Sequence, residues 1–371
     1  MPEIVPAWLT PLVFGMMGAC IGSFLNVVIY RVPRGMSVNN PSRSFCPECD
    51  KEIPWYLNIP VFSWVILRGK SACCGKPIRF RYCGVELLTA VIFALLGYLY
   101  AEESVVSSVL LCLWAAVAIV IIFIDAEHLI VFRSQTIIGA IAGIGACTLN
   151  PFLLPDQEVM RGADAFTASV LGGGIGYIII RLIIELGKVL FGTWKQHFVT
   201  TVTWYLREPE SPEEELRLVI DGQGHDWSML FHRTSDQAVI SGGTITINGK
   251  TYHPETVTLQ ADKVELSTGE TFLLEELESV EGTLTDIHAK REAMGAGDAW
   301  ILMMIGCISG WQGTVFCLFL GSILGILQAI VSRMGFGKTL PFGPALLSAA
   351  MIWLFGGDQW WQAYLRFISG E

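Results

Sequence analysis

Residues Val105–Ile124 run for 20 positions without a charged side chain, and Asp125 closes the run. A hydrocarbon core about 30 Å thick takes about 20 apolar residues as a helix, so this block reads as a membrane span. An ionisable residue at membrane depth is costly to place and marks a working site by default. A second acid stands in a matching position. Asp298 ends the tetrapeptide Gly295-Ala296-Gly297-Asp298 and directly precedes the apolar run Ala299–Ser309. Each carboxylate sits where an apolar helix meets water.

The remaining sequence repeats the pattern. Of 371 residues, 52% are hydrophobic and 16% charged, and the apolar ones gather into blocks nearly free of charge, which a soluble core does not require. The blocks predict an all-α polytopic membrane protein of about eight transmembrane helices, near 8–30, 84–101, 105–124, 135–154, 166–190, 299–310, 312–332 and 342–356. The first is expected to stay as an anchor and not to be a removed signal, because its basic residues follow it. Arg31, Arg34, Arg43, Lys51, Arg68, Lys70, Lys76, Arg79 and Arg81 fill the first loop, Arg133 the third, and Lys290 and Arg291 precede the sixth span. The alternate loops carry Glu102, Glu103, Asp156, Glu158 and Asp164. The positive-inside rule puts the basic loops in the cytosol, and with them both Asp125 and Asp298.

The acidity of the chain is local. Residues 207–292 hold 18 Asp or Glu and 7 Lys or Arg, while the other residues are close to neutral. The sequence pI of 5.2 therefore describes an insert, and no basic footprint for nucleic acid exists. After a helical-looking Glu208–Glu215, alternating β-branched stretches recur at 216–220, 238–240, 244–247, 256–260 and 263–266. Gly242-Gly243, Asn248-Gly249 and Thr268-Gly269 punctuate them, and Asn-Gly between alternating runs signals a hairpin. A small, mostly β cytosolic domain is expected. The chain then divides into 1–83 (first helix and cysteine loop), 84–194 (helices two to five), 195–291 (the acidic insert) and 292–371 (helices six to eight).

The first loop carries a second constellation: Cys46-Pro-Glu-Cys49, then Cys73-Cys74, then Cys83. A CxxC with a distant second pair in a reducing compartment points to tetrahedral zinc, with redox chemistry as the alternative. Adjacent side chains point apart in extended backbone, so one of Cys73 and Cys74 reads as a ligand and the other as a bystander; Cys46, Cys49 and Cys74 are the expected ligands, with either Cys73 or Cys83 in the fourth place. The cysteines inside spans behave as small hydrophobes.

Two close carboxylates cannot both ionise cheaply, so one proton is shared between them. The charged member takes a proton from water while the neutral one donates to the scissile carbonyl. Asp125 and Asp298 suit this aspartyl-protease chemistry, which needs no metal or other cofactor. Asp298 also suits a helix N-cap, and Glu127 and His128, as surface residues or as groups that tune the pair, rank below the two aspartates. A transporter would place its acids near mid-bilayer, and both aspartates sit at one interface.

With these residues on the page, the chain resembles the prepilin leader peptidases, or type IV leader peptidases. The resemblance lies in Gly18-Ala-Cys-Ile-Gly22-Ser23-Phe24-Leu25-Asn26 with Arg31-Val32-Pro33, in Asn58-Ile59-Pro60-Val61-Phe62-Ser63-Trp64 and Leu67-Arg68-Gly69-Lys70, in Arg81-Tyr82 and Glu86-Leu87-Leu88, in Met294-Gly295-Ala296-Gly297-Asp298 and in Pro341-Phe342-Gly343-Pro344. It implies cleavage of type IV prepilin or type II secretion pseudopilin leaders by Asp125 and Asp298 at the cytosolic face of the bacterial inner membrane. It also implies methylation of the new N-terminus from S-adenosyl-methionine. Acidic Glu86, near the cysteine loop, is a candidate for binding a substrate amine, with a buried structural acid as the equal alternative. The partners are then those precursors and the lipid bilayer. Three departures stand out. Ser71 replaces a family cysteine, with Cys74 matching the fourth and Cys73 additional. Phe132-Arg133 replaces a Pro-Asp pair, and Asp298-Ala299-Trp300-Ile301 lacks the lysine that shortly follows the aspartate in the family. A catalytically altered scaffold for a pilus or secretion machine is the rival that the cysteine departure supports.

Overall fold

The computed structural model describes residues 6, 8–41, 43–46, 48–155, 162–191, 193–208, 216–231, 236–290, 295–332 and 340–369. In chain order the helices are α1 (Leu9–Arg31), the short α2 (Phe62–Ile66), α3 (Phe80–Tyr100), α4 (Val105–His128), α5 (Arg133–Leu149), α6 (Gly162–Phe191), the short α7 (Trp227–Leu230), α8 (Ala296–Val331), α9 (Gly343–Ile352) and α10 (Asp358–Ser369). Among the described residues, five of these (α1, α3, α4, α6 and α8) are long and apolar enough to cross a membrane. At 17 residues, α5 extends only about 25 Å.

Local chemistry sets the ends that matter. Ser104 caps α4 by accepting the Ser107 N–H at 3.2 Å. At the other end Leu129 adopts φ 54, and its N–H returns to the Asp125 carbonyl at 2.9 Å. Asp125 therefore lies in the last turn, with its backbone closing the helix. In α8 the chain breaks at Gly310 (φ 64, ψ −172). A Cβ on Gly306 would lie 2.8 Å from Thr314 Oγ1, whereas eight residues of continuous helix span about 12 Å. The chain doubles back at Gly310, between the apolar runs expected at 299–310 and 312–332.

Glycines set the helix contacts. In lipid there is little hydrophobic force between helices, so small residues that let backbones touch do the packing. Gly18 and Gly22 of α1 face α3: a Cβ would stand 2.7 Å from the Thr89 carbonyl oxygen at the first and 2.8 Å from Glu86 Cα at the second. Gly172 and Gly176 of α6 meet α8 in the same way, at the Gly306 and Leu302 carbonyl oxygens, 2.4 and 2.5 Å from where a Cβ would be. α10 is different. Its apolar Trp360, Trp361, Tyr364, Leu365, Phe367 and Ile368 share one face at helical spacing, and none of its residues is buried.

A second compact unit covers Arg181–Gly295. Its antiparallel sheet runs β3 (Gln223–Asp226), β2 (Arg217–Ile220), β1 (Thr193–Arg207), β10 (Val280–Lys290), β4 (Gln237–Ser241), β7 (Thr256–Leu259), β8 (Lys263–Leu266), β9 (Thr271–Leu273), with β5 (Ile245–Ile247) on β10 and β6 (Lys250–Tyr252) on β5. Trp204, Leu218, Ile240, Leu259, Val264, Leu284 and Ile287 form its core. The Asn248-Gly249 hairpin joins β5 to β6 with φ 49 and 80, the paired positive φ values of a type I′ turn. The two longest strands, β1 and β10, were not among the expected stretches. They pair from Thr193↔Lys290 to Tyr205↔Glu281, so the ends of the insert are adjacent strands. His197 Nδ1 meets Asp286 Oδ1 at 2.7 Å across this pair, and that bond holds the Asp286 carboxyl below its usual range. Of the helical-looking Glu208–Glu215, all but Glu208 lies outside the described residues.

The α6–α8 contact predicts a graded outcome. Gly306→Ala forces a Cβ to 2.2 Å from the Gly172 carbonyl oxygen and should cost about 1–3 kcal/mol, read as a lower thermal midpoint of the purified protein. Gly174→Ala, where nothing lies within 4 Å, should leave that midpoint in place. Equal midpoints for the two variants would remove the packing argument.

Candidate functional site

Both acids are buried, Asp125 at 6% and Asp298 at 7% exposure. Asp298 lies in the first turn of α8, where the free N–H groups of a helix favour a carboxylate. Asp125 Oδ2 accepts the backbone N–H of Gly343 at 3.1 Å, at the start of α9, where Pro344 sets the first turn. A Cβ on Gly343 would fall 2.6 Å from Asp125 Oδ2 and 2.7 Å from Ile301 Cδ1. Ile301 lies three residues after Asp298, on the same side of α8. A Cβ on Gly297 would meet Val131 Cβ at 2.9 Å, so the turn after Asp125 packs against the residue before Asp298. The C-terminus of α4 and the N-termini of α8 and α9 thus interlock around the two carboxylates. Gly343 was legible only as part of the Pro341–Pro344 motif. Its job is positional: it brings a backbone donor where any side chain would collide with the acid.

The neighbours are accounted for. Glu127 forms an ion pair with Arg81 and lies 4.0 Å from His128 Nε2. Arg133 sets its guanidinium 5.5 Å from the Trp300 ring centre. Trp300 in turn packs edge-on to Tyr177 at 5.2 Å.

The cysteine loop forms two turns with the same hydrogen-bond register. In the first, the Cys46 N–H reaches the Lys51 carbonyl at 2.9 Å, the Asp50 N–H reaches Cys46 at 2.9 Å, and Asp50 has φ 54. In the second, the Ser71 N–H reaches Lys76 at 2.8 Å, the Gly75 N–H reaches Ser71 at 2.8 Å, and Gly75 has φ 70. Ser71 is thus the counterpart of Cys46, and Cys74 of Cys49. The sulfurs of Cys46, Cys49, Cys73 and Cys74 all lie within 4.8 Å of one another. Tetrahedral bonds of about 2.3 Å to zinc imply sulfurs about 3.8 Å apart, the separation found for Cys46 and Cys74; Cys49 and Cys73 stand at 3.2 Å. The four thiols fit such an ion. Of the two candidates for the fourth place, Cys73 joins the group: it and Cys74 converge, because the backbone is tightly turned there and not extended. Cys83 is not in the group: α3 begins at Phe80, earlier than the expected 84, and holds Cys83 buried in its first turn.

Electrostatics at the thiols follow from these contacts. Burial pushes the Cys46 thiol up, but hydrogen bonds from Ser71, the Glu48 backbone, Cys73 and Cys49 outweigh it and bring it to about 6. Cys49 is pushed up to about 12: the Lys51 backbone lowers it, and Cys73, burial and the remaining thiols prevail. The bond from Lys76, 2.6 Å from Glu48 Oε2, holds that carboxyl below its usual range.

Between α1, this loop and the start of α3 lies a cavity of about 350 Å³. Glu86 lines it and accepts the Val61 N–H at 2.7 Å. Val61 has φ 64 and ψ −51, and the Phe62 N–H returns to the Pro60 carbonyl at 2.6 Å. This is the rare, strained form of γ-turn, unusual for a β-branched residue and of the kind that persists where surroundings hold it for a task. The Glu86 carboxylate is what holds it.

Among known proteins, residues 16–100 match the bacterial peptidase A24 N-terminal domain and residues 271–330 the type IV leader peptidase family. A protein of Myxococcus xanthus is 39% identical over 178 residues, 47% of this chain and 48% of that protein. One of Klebsiella pneumoniae is 34% identical over 186 residues, 48% of this chain and 78% of that protein. One of Aeromonas hydrophila is 25% identical over 385 residues, 96% of this chain and 94% of that protein. Each bears the name prepilin leader peptidase/N-methyltransferase. The match spans about half the length of the Myxococcus relative. No solved structure matches.

A titration checks the cysteine geometry. In metal-free protein, thiolate ultraviolet absorbance should rise through a step near pH 6 that is absent from Cys46→Ala, because a lowered pKa keeps Cys46 ionised above that pH. Ser71→Ala removes the hydroxyl 3.6 Å from Cys46 Sγ and should move the step to higher pH. An unchanged step would show that Ser71 does not support the thiolate.

Proposed function

We propose, for this chain that belongs to the type IV leader peptidase family, that it cleaves the leaders of type IV prepilins or type II secretion pseudopilins at the cytosolic membrane face, with Asp125 and Asp298 as the catalytic pair. The observation that carries the reading is the interlocked burial of the two carboxylates around Gly343. One carboxylate takes a proton from the attacking water, and the other, protonated, donates to the carbonyl oxygen as charge develops there. The Gly343 N–H, bonded to Asp125, fixes that side chain's direction. Asp125→Asn and Asp298→Asn should each abolish cleavage of a prepilin-like substrate in detergent, since Asn keeps the volume but cannot take the proton. Gly343→Ala should lower the rate at least tenfold by displacing Asp125. Native rates in either Asn variant would favour the scaffold reading.

The relatives' shared name joins a methyltransferase to the peptidase, and on that name the new N-terminus is methylated from S-adenosyl-methionine, the group that supplies the methyl. Cavities that hold small ligands measure about 300–1,000 Å³, and the one lined by Asn58, Trp64, Arg81 and Glu86 is within that range. The same incubation with a labelled methyl donor, followed by mass analysis of the product, reads the second activity.

The four thiols are assigned to a structural zinc ion that ties the two turns of the loop together. Cys46, Cys49, Cys73 and Cys74 would hold it, and the peptidase step would not use it. Protein purified without added zinc should carry about one ion per chain, falling to none in Cys49→Ser/Cys73→Ser. Absence of metal with freely reactive thiols would remove the assignment.

For the bilayer, eight crossings are assigned in the inner membrane, counting α5, α9 and the two arms of α8, so that both aspartates share the cytosolic side. Single cysteines introduced at Glu102 and at Glu255 should then react with membrane-impermeant reagents from opposite sides. Labelling of both from one side would reject the count.

A further inference from the structure

The strained turn at Val61 and the carboxylate that holds it belong to no step of the proteolysis. We propose that the cavity wall formed by Ser23, Asn26 and Glu86 binds a primary ammonium group, namely the N-terminal amine that cleavage of a prepilin-type substrate releases. This rests on the substrate class proposed above.

The wall is built at a close helix contact. Gly22 of α1 would place a Cβ 2.8 Å from Glu86 Cα, so the two backbones touch at the level of the acid. Ser23, the next residue, sets its hydroxyl beside the Glu86 carboxylate on the same cavity. Asn26 lies three residues on, along the same side of α1, and its Nδ2 donates to the Tyr82 carbonyl at 2.9 Å. Tyr82 lies four residues before Glu86, on the matching side of α3. Ser23, Asn26 and Glu86 therefore face one another across the α1–α3 seam, and all three line the cavity.

Their chemistry is one-sided. Asn26 is 6% exposed, and its Oδ1 has no hydrogen-bond partner among the described residues. Since Nδ2 must face the Tyr82 carbonyl, the orphaned atom is an acceptor. Such an atom costs free energy unless something donates to it. Glu86 is likewise without a cation: among the described residues no Lys, Arg or His nitrogen lies within 4.0 Å of it. The other acids of the same cavity are satisfied internally, Glu127 by Arg81 and Glu48 by Lys76. The wall offers the Glu86 carboxylate, the Ser23 lone pairs and the Asn26 carbonyl, three acceptors and a negative charge. An ammonium offers three donors and a positive charge. An anion would be repelled, and a carbonyl would leave Asn26 Oδ1 unmet. Glu127, two residues after Asp125, lines the same cavity, so the space that contains the wall reaches the helix end where the amine is released.

The test uses purified full-length protein in detergent and two synthetic peptides of one mature pilin-type N-terminal sequence, one with a free amine and one N-acetylated. Because both are supplied already cleaved, the result does not depend on Asp125 or Asp298, whose failure would appear only in the cleavage assay. Wild-type protein should bind the free-amine peptide about tenfold tighter or more, the scale of a hydrogen-bonded charge. Glu86→Gln keeps an acceptor for the Val61 N–H but removes the charge. It should bring the ratio close to one by weakening the free-amine peptide alone. Ser23→Ala should lower the ratio part of the way, and it supplies the test if Glu86→Gln does not fold. A wild-type ratio near one overturns the proposal, as does a ratio that survives in a folded Glu86→Gln or, failing that variant, in Ser23→Ala.

Discussion

Backbone-to-backbone contact at glycine organises the helical part of this chain. Between apolar helices in lipid, burying one more leucine against protein gains little over leaving it against acyl chains. What distinguishes one arrangement is how closely two helices approach and which polar groups that approach brings together. Gly18 and Gly22 let α1 touch α3, and Gly172 and Gly176 let α6 touch α8. The first contact places Ser23 on Glu86. The second fixes the helical arm that begins with Asp298. Both polar sites are consequences of where side chains are missing.

A similar logic governs the donor to Asp125. A buried carboxylate needs hydrogen bonds, and a side-chain donor would need room and a fixed rotamer. The start of α9 supplies a backbone N–H from Gly343 instead. The donor is rigid because Pro344 follows it, and close because glycine has no Cβ. The cysteine loop uses backbone turns as well. Two stretches adopt one hydrogen-bond register, and the thiol missing at Ser71 is made good by Cys73, two positions along the same turn.

Much of this was readable from residue order. The apolar blocks with their terminal acids marked α4 and α8, and the pair Asn248-Gly249 marked the β5–β6 hairpin, because such signals lie within a few residues. β1 and β10 escaped. Each carries charged and polar residues through its length, and each is stabilised chiefly by the other, some ninety positions away in a register from Thr193↔Lys290 onward. The choice between Cys73 and Cys83 beside Cys74 stayed open for a related reason. Whether neighbouring side chains diverge or converge depends on the backbone, and the turn that brings them together is closed by the Gly75–Ser71 bond.

The sequence by itself determined that the chain belongs in a bilayer, that Asp125 and Asp298 end apolar helices, that four or more cysteines share a loop, and that an acidic β-rich segment interrupts the helices. These follow from composition and spacing, which local physics translates directly into helices, strands and turns. Only the tertiary structure decided that Gly343 donates to Asp125, that Cys83 stands apart from the other thiols, that Gly310 reverses the chain, and that Glu86 lines one cavity with Asn26, whose Oδ1 is unmet among the described residues. Those outcomes depend on close approaches between residues far apart in the chain, set by glycine contacts whose partners cannot be read from the order of residues.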